Sequence, residues 1–224
     1  MLETLDGIRM QTMKDLDLIV VDDCSSDNSV ALITAWIEAH GNRFRKASVL
    51  RQDKMCGLSA ARNRGFENAE TEFVVPLDTG NIIYPSCLEK LVRALAPSRC
   101  AFAYCLIERF SQNPGQKDFP LMNLRQWDPS ALGNGNYIDA MALFRKDAWR
   151  IAGKYNESLR LGWEDHDLWL KIARCNGSGL HVPQILAKHR PRPSSILSKG
   201  TNITDARKEM NEYLLQTYPE FFAK

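Results

Sequence analysis

Leu16-Asp17-Leu18-Ile19-Val20-Val21 is an almost continuous apolar run that Asp22-Asp23 stops at once. It is far too short to span a bilayer. An unbroken run of this length reads as a strand buried on both faces, which a helix-covered parallel sheet provides and a one-sided sheet does not. The next segments keep the rhythm. Residues 29–39 resume at helical spacing with Val30, Ile33, Ala35 and Ile37, Ser48–Leu50 is a second short strand, and 57–68 a helix. Phe73–Leu77 is a third strand closing on Asp78, 88–95 a helix, and Ala101–Phe110 a fourth strand. Residues 2–13, before the first run, read as a short helix. This alternation predicts an α/β fold with a mainly parallel sheet flanked by helices, and leaves the strand order open.

The second half is sparser. Residues 111–136 are rich in Pro, Gly, Asn and Gln and read as a mobile loop. Then come an extended Tyr137–Arg145, a short helix over 146–152, a helix over 164–174 and a strand over Ile185–His189. A helical tail over 204–218 is anchored by Leu214 and Leu215. With so few apolar strands this half does not fold alone. The chain reads as one domain over 1–224, with a first half (1–110), an inserted loop (111–136), a second half (137–196) and a tail (197–224).

Composition excludes several classes. At 224 residues, 44% apolar, the chain can bury one sizeable core. A formal charge of +2 lacks the clustered basic excess of a nucleic-acid binder. No apolar run spans a bilayer and no signal-peptide core opens the chain, so a soluble, cytoplasmic protein is expected. Peripheral attachment at the inner face of a membrane stays open. The six cysteines are scattered without metal spacing and read as reduced, mostly buried thiols.

In open α/β sheets, ligands bind beyond the carboxyl ends of the strands. Asp22-Asp23 and Asp78 both end strands there and can accept from a base N–H or ribose hydroxyls; Asp27 reads as a turn former or helix cap. Gly162-Trp163-Glu164-Asp165-His166-Asp167 opens a helix whose buried face is Leu168, Trp169 and Ile172. Its three acids exceed what the helix dipole calls for, and one placed carboxylate can take a proton from a hydroxyl. Arg190 and Arg192, separated by Pro191, could grip a diphosphate. His166 and His189 read as structural or exposed, and the Arg62-Asn63-Arg64 cluster as a solvent-facing turn.

Together these segments resemble the family 2 inverting glycosyltransferases with the GT-A fold. Ile19–Asp27 is similar to the family's strand followed by D-D-x-S-x-D, and Gly57–Gly65 to its G-x-x-x-A-R-N-x-G helix. Leu77-Asp78-Thr79-Gly80-Asn81 occupies the place of L-D-x-D-D, Gly162–Leu170 that of G-x-E-D-x-D-L-W-L, and Lys188–Arg190 that of the Y-R segment. The resemblance covers about residues 2–196, with five motifs in order. It implies a nucleotide-sugar donor and a carbohydrate or other hydroxyl acceptor. Asp23 would meet the base, Asp78 the ribose or a metal-bound water, and Arg62 the nucleotide-sugar. Asp165 would be the general base, with Glu164 and Trp163 shaping the acceptor side.

Three departures stand out. The family's opening strand has no counterpart, so the fold is expected to be N-terminally truncated. The second Asp of D-x-D is Gly80, and a position that often holds a further histidine ligand is Arg192. The divalent metal typical of the family (Mn²⁺ or Mg²⁺) would lose ligands at two points, and Arg192, with or without Arg190, would supply fixed charge instead. Two rival readings compete. One is a catalytically inactive domain that only binds sugar, nucleotide or a partner; the other, a nucleotidyltransferase, lacks its Gly-rich phosphate loop.

Overall fold

The computed structural model describes residues 1–110, 120–160, 162–191 and 203–222. Helix α1 (Leu2–Arg9) precedes strand β1 (Asp17–Asp22), helix α2 (Ser29–His40), strand β2 (Lys46–Arg51) and helix α3 (Leu58–Asn68). Strands β3 (Phe73–Val74) and β4 (Ile82–Ile83), helix α4 (Cys87–Leu95) and strand β5 (Phe102–Arg109) complete the first half. Strand β6 (Leu143–Arg145), helices α5 (Lys146–Ile151) and α6 (Glu164–Arg174), strand β7 (Gly179–His189) and helices α7 (Ile203–Thr217) and α8 (Pro219–Phe222) follow.

The apolar runs become strands, but their pairing departs from expectation. β1 and β2 form a parallel pair, while the larger sheet has the order β3-β6-β5-β7-β4. Only β5 and β7 run parallel in it; β3–β6, β5–β6 and β4–β7 are antiparallel. The fold is α/β with a mixed sheet rather than a mainly parallel one. The predicted third strand shrinks to two residues, since Pro76 cannot donate to a ladder. The extended stretch 137–145 is a strand only at its end.

Fully buried Phe102, Phe144 and Trp169 stack at the centre, with ring centroids 4.5 Å and 5.3 Å from Trp169. Each such ring contributes about 2–3 kcal/mol of burial free energy. Trp169 thereby pins α6 against the sheet. The predicted loop divides. Residues 111–119 lie outside the described residues, but the remainder is seated: Met122 bridges to Ile107, Asn123 is buried, and a 3₁₀ turn runs Pro129–Asn134. Asp128 caps that turn, accepting from the Ser130 N–H at 3.0 Å.

Between the two sheets lies a cleft of about 1330 Å³. Leu16–Val21 line it and no β2 residue does, so it runs along the edge of β1 that β2 leaves unpaired. Val74–Leu77, Phe66 and Ala69 form the facing apolar wall. Among the described residues no helix is long and apolar enough to cross a membrane. All six cysteines are free thiols, but only Cys87 and Cys105 are buried, fewer than expected.

Candidate active site

The polar end of the cleft is built around Arg62. It sits in the middle of α3, which starts where Gly57 turns the chain at φ +95°. Far from facing solvent, Arg62 is 8% exposed and Asn63 4%. Arg62 Nη2 donates to both oxygens of Asp78 at 2.9 Å, and Nη1 donates to Glu164 Oε1 at 2.5 Å. Its guanidinium also lies 5.4 Å from the Tyr155 ring centre. Burial disfavours this charge, but Asp78, Tyr155 and Glu164 outweigh it and hold Arg62 firmly protonated. Asn63 fixes the neighbouring turn, donating to the Tyr155 carbonyl at 3.0 Å and accepting from its N–H at 3.0 Å. One arginine thus joins the irregular segment after β3, which carries Asp78, to the helix that carries Asp165.

Gly162 (φ +101°) and Trp163 (φ +60°) both take the left-handed conformation, and α6 starts from that turn. The turn sends Glu164 inward to Arg62 and leaves Asp165 half-buried beside it, outside the residues that line the cleft. Trp163 is half-buried against the main core. Asp165 Oδ2 accepts from Asn136 Nδ2 at 2.8 Å and Oδ1 from the His166 N–H at 2.8 Å. Its pKa is pushed up to about 7, by burial first and then by the Glu164 charge and by Asp139, against the opposing Arg62. A carboxylate tuned there is a competent base at neutral pH.

Asp139 and Asn136 were not legible as site residues, because they lie in an irregular segment with no period. Burial, with the nearby Asp78 charge, pushes the Asp139 pKa up, while His189 and Arg62 oppose the rise. Asn123, buried and at φ +63°, holds it, accepting from the Asp139 N–H at 2.8 Å.

The remaining predicted residues divide. Asp22 is not among the residues that line the cleft: it accepts from the Ser25 N–H at 3.2 Å and pairs with Arg51 at 3.5 Å. Asp23 does line the cleft, but accepts from Gln52 Nε2 and from the Cys56 and Gly57 N–H groups, all at 2.7 Å. It clamps the loop that leads into α3. Asp27 accepts from the Ser29 N–H at 2.9 Å, as a turn former does. His189 lines the cleft instead of standing exposed, whereas buried His166 meets the Leu132 carbonyl at 2.9 Å and is structural. Arg190 lines the cleft with its guanidinium on Glu3 and 4.7 Å from the Phe110 ring centre. Arg192 lies outside the described residues.

The carboxylates do not make a metal centre. Both Asp78 oxygens face Arg62, and the residue two further on is Gly80, at φ +100° with its N–H held by Thr4 Oγ1 at 2.9 Å. Among the described residues no three His, Cys, Asp or Glu side chains are disposed to hold an ion.

Helices on a mixed α/β sheet, with Asp78 after a short strand and Glu164-Asp165 at a helix start, define the class of fold. Similarity to known proteins agrees. Residues 1–151 match the family described as Glycosyl transferase family 2, and the chain belongs to it. It is 25% identical over 219 residues to the amylovoran biosynthesis glycosyltransferase AmsE of Erwinia amylovora, covering 96% of this chain and 79% of AmsE. It is 24% identical over 207 residues to the O-antigen biosynthesis protein RfbC of Myxococcus xanthus, covering 92% of this chain but 16% of RfbC. The structure of S. aureus TarS 1-349 in complex with UDP-GlcNAc has the same fold, with a TM-score of 0.74 at 16% identity, covering 99% of this chain and 66% of that one. The chain therefore spans only part of the length of several proteins it resembles, about two fifths in the case of the longer TarS structure (41%).

Proposed function

We propose that this chain transfers a glycosyl group from a nucleoside-diphosphate sugar to an acceptor hydroxyl with inversion at the anomeric carbon. The observation that carries this reading is the Arg62 bridge, which ties Asp78 at the cleft to Glu164, the neighbour of Asp165 at the start of α6. In the proposed reaction Asp165 removes the proton from the acceptor hydroxyl. The oxygen forms its bond to the anomeric carbon on one face as the bond to the diphosphate oxygen breaks on the other, and the nucleoside diphosphate leaves with the electron pair. Asp23, Asp78 and Arg62 form the donor wall; Trp163 and buried Glu164 shape the acceptor side. Arg62, Arg160 and Arg190 line the cleft, and exposed Arg160 offers positive charge to the departing diphosphate while Arg62 and Arg190 are paired with carboxylates.

The names of AmsE and RfbC support a place in surface polysaccharide biosynthesis, and the UDP-GlcNAc complex of TarS supports UDP-sugars as the first donors to try. Release of nucleoside diphosphate from UDP-, GDP- and dTDP-sugars is the assay. Asp165→Asn is expected to lower turnover about 10²–10⁴-fold with donor binding kept; full turnover by that variant would remove the base assignment. Because the acids do not fit an ion, turnover is expected to persist in excess chelator. Complete loss, restored by Mn²⁺, would return the metal to the scheme. The rival reading, binding without turnover, is favoured by one observation: protein donors already occupy the Asp23 and Asp78 oxygens. It predicts nucleotide-induced thermal shifts with no diphosphate released from any donor.

A further inference from the structure

Two residues beyond Asp165, on the opposite side of α6, Asp167 is wholly buried. A buried carboxylate is costly unless its lone pairs are taken. Here they are taken mainly from the C-terminal tail. Tyr213 Oη and Tyr218 Oη donate to Asp167 Oδ1 at 2.8 and 2.6 Å, and Lys171 Nζ meets Oδ2 at 2.9 Å. Further along α6, Arg174 Nε donates to Glu220 at 2.7 Å, and its guanidinium lies 4.4 Å from the Tyr218 ring centre. Met210, Leu214 and Tyr218 enter the main core from the same tail.

The tail also reaches Asp165 by a second route. Gly133 lies so close to α8 that a Cβ there would stand 1.9 Å from the Phe221 carbonyl oxygen. Only glycine permits that approach. Its neighbour Leu132 accepts from His166, and three residues on, Asn136 donates to Asp165. At Ile138 the segment is held again, its carbonyl accepting from Trp169 Nε1 at 3.1 Å. The segment 132–138 therefore lies between the tail and the base, bonded to α6 at three points.

We propose that the C-terminal helix pair is a positioning element of the active site, setting Asp165 through Asp167 on one side and through Gly133 and Asn136 on the other. This rests on Asp165 acting as the base. Tyr213, Tyr218 and Gly133 act through Asp167 and the segment 132–138, and Asn136 acts on Asp165 directly; together they fix where the carboxylate points. The groups facing Asp165 are Glu164 on its own helix, Arg62 on α3, Asp139 and Asn136 on the irregular segment, and Tyr155 after α5. Asn136 is the uncharged donor among them, and its bond favours the ionised form.

The test compares Tyr218→Phe, Gly133→Ala and Asn136→Ala with Asp165→Asn in nucleoside-diphosphate release from UDP-sugars. Asn136 is exposed, so its variant keeps the fold where Gly133→Ala loses it. Expected are kcat losses of roughly ten- to a hundredfold with donor KM unchanged. The acid limb of the Asn136→Ala pH profile moves to higher pH, and Asn136→Gln recovers part of the loss. Unchanged kcat and an unmoved limb in folded Tyr218→Phe and Asn136→Ala would overturn the proposal. If Asp165→Asn is inactive in that same experiment, only the positioning role falls; if it turns over normally, the base assignment falls first.

Discussion

A guanidinium presents five N–H donors in a rigid plane, so one arginine can hold two carboxylates that share no element. Arg62 does so between Asp78 and Glu164, and a lysine, with a compact ammonium on a flexible stem, would not reproduce the fork. Arg62→Lys is expected to weaken donor binding and turnover together, read as a rise in KM and a fall in kcat, and Arg62→Ala to destabilise the fold by about 3 kcal/mol because it strands a buried Glu164. Asp165 carries a sign that can be measured. Its pKa rises from 3.8 to about 7 on folding, so the folded state disfavours the charged form. The resulting penalty on stability is absent below about pH 4, grows as pH rises to 7 and stays constant above it. Asp165→Asn should therefore raise the melting temperature at pH 8 and give no gain at pH 4. A variant less stable than the parent at pH 8 would contradict the raised pKa.

At the scale of elements, α6 was the most legible. Its span matches the expected 164–174, because Leu168, Trp169 and Ile172 set a helical face that the core requires. Strand β7 was less so. It runs Gly179–His189, six residues earlier than its apolar Ile185-Leu186-Ala187 announced, since backbone pairing with β5 carries it through polar positions. Its start is set by packing: a Cβ on Gly179 would lie 2.4 Å from Phe102 Cζ, a ring with no exposure and no room to move. Gly179→Ala should cost about 1–3 kcal/mol in urea denaturation, and a neutral result would mean the ring can shift. The local pattern misplaces Arg62 and Asn63 for a related reason. Polar residues in one helical turn face solvent unless something distant neutralises them, and the partner Glu164 lies 102 positions away.

For the whole molecule, the decisive feature is the cleft between the two-stranded pair and the five-stranded sheet. β5 is paired on both sides, by β6 and β7, whereas among the described residues β1 is paired only by β2. Amides of β1 that point into the cleft should exchange with deuterium far faster than those of β5, and equal protection would mean that the edge is covered. Some matters the chain settled in one dimension. Apolar runs of strand length, helical spacing and acidic stops fix which segments become strands and helices and where carboxylates end them, because these depend on neighbours a few residues away. The five ordered motifs belong to that class, and so does the family. Other matters waited for the folded molecule. The mixed sheet, the burial of Arg62, the pairing of Asp22 with Arg51, the entry of Asp139, and the hold of Tyr213 and Tyr218 on Asp167 all join residues far apart in the chain. Local pattern carries no record of such pairings, since a carboxylate costs the same to bury whichever distant donor meets it, and only tertiary packing chooses the donor.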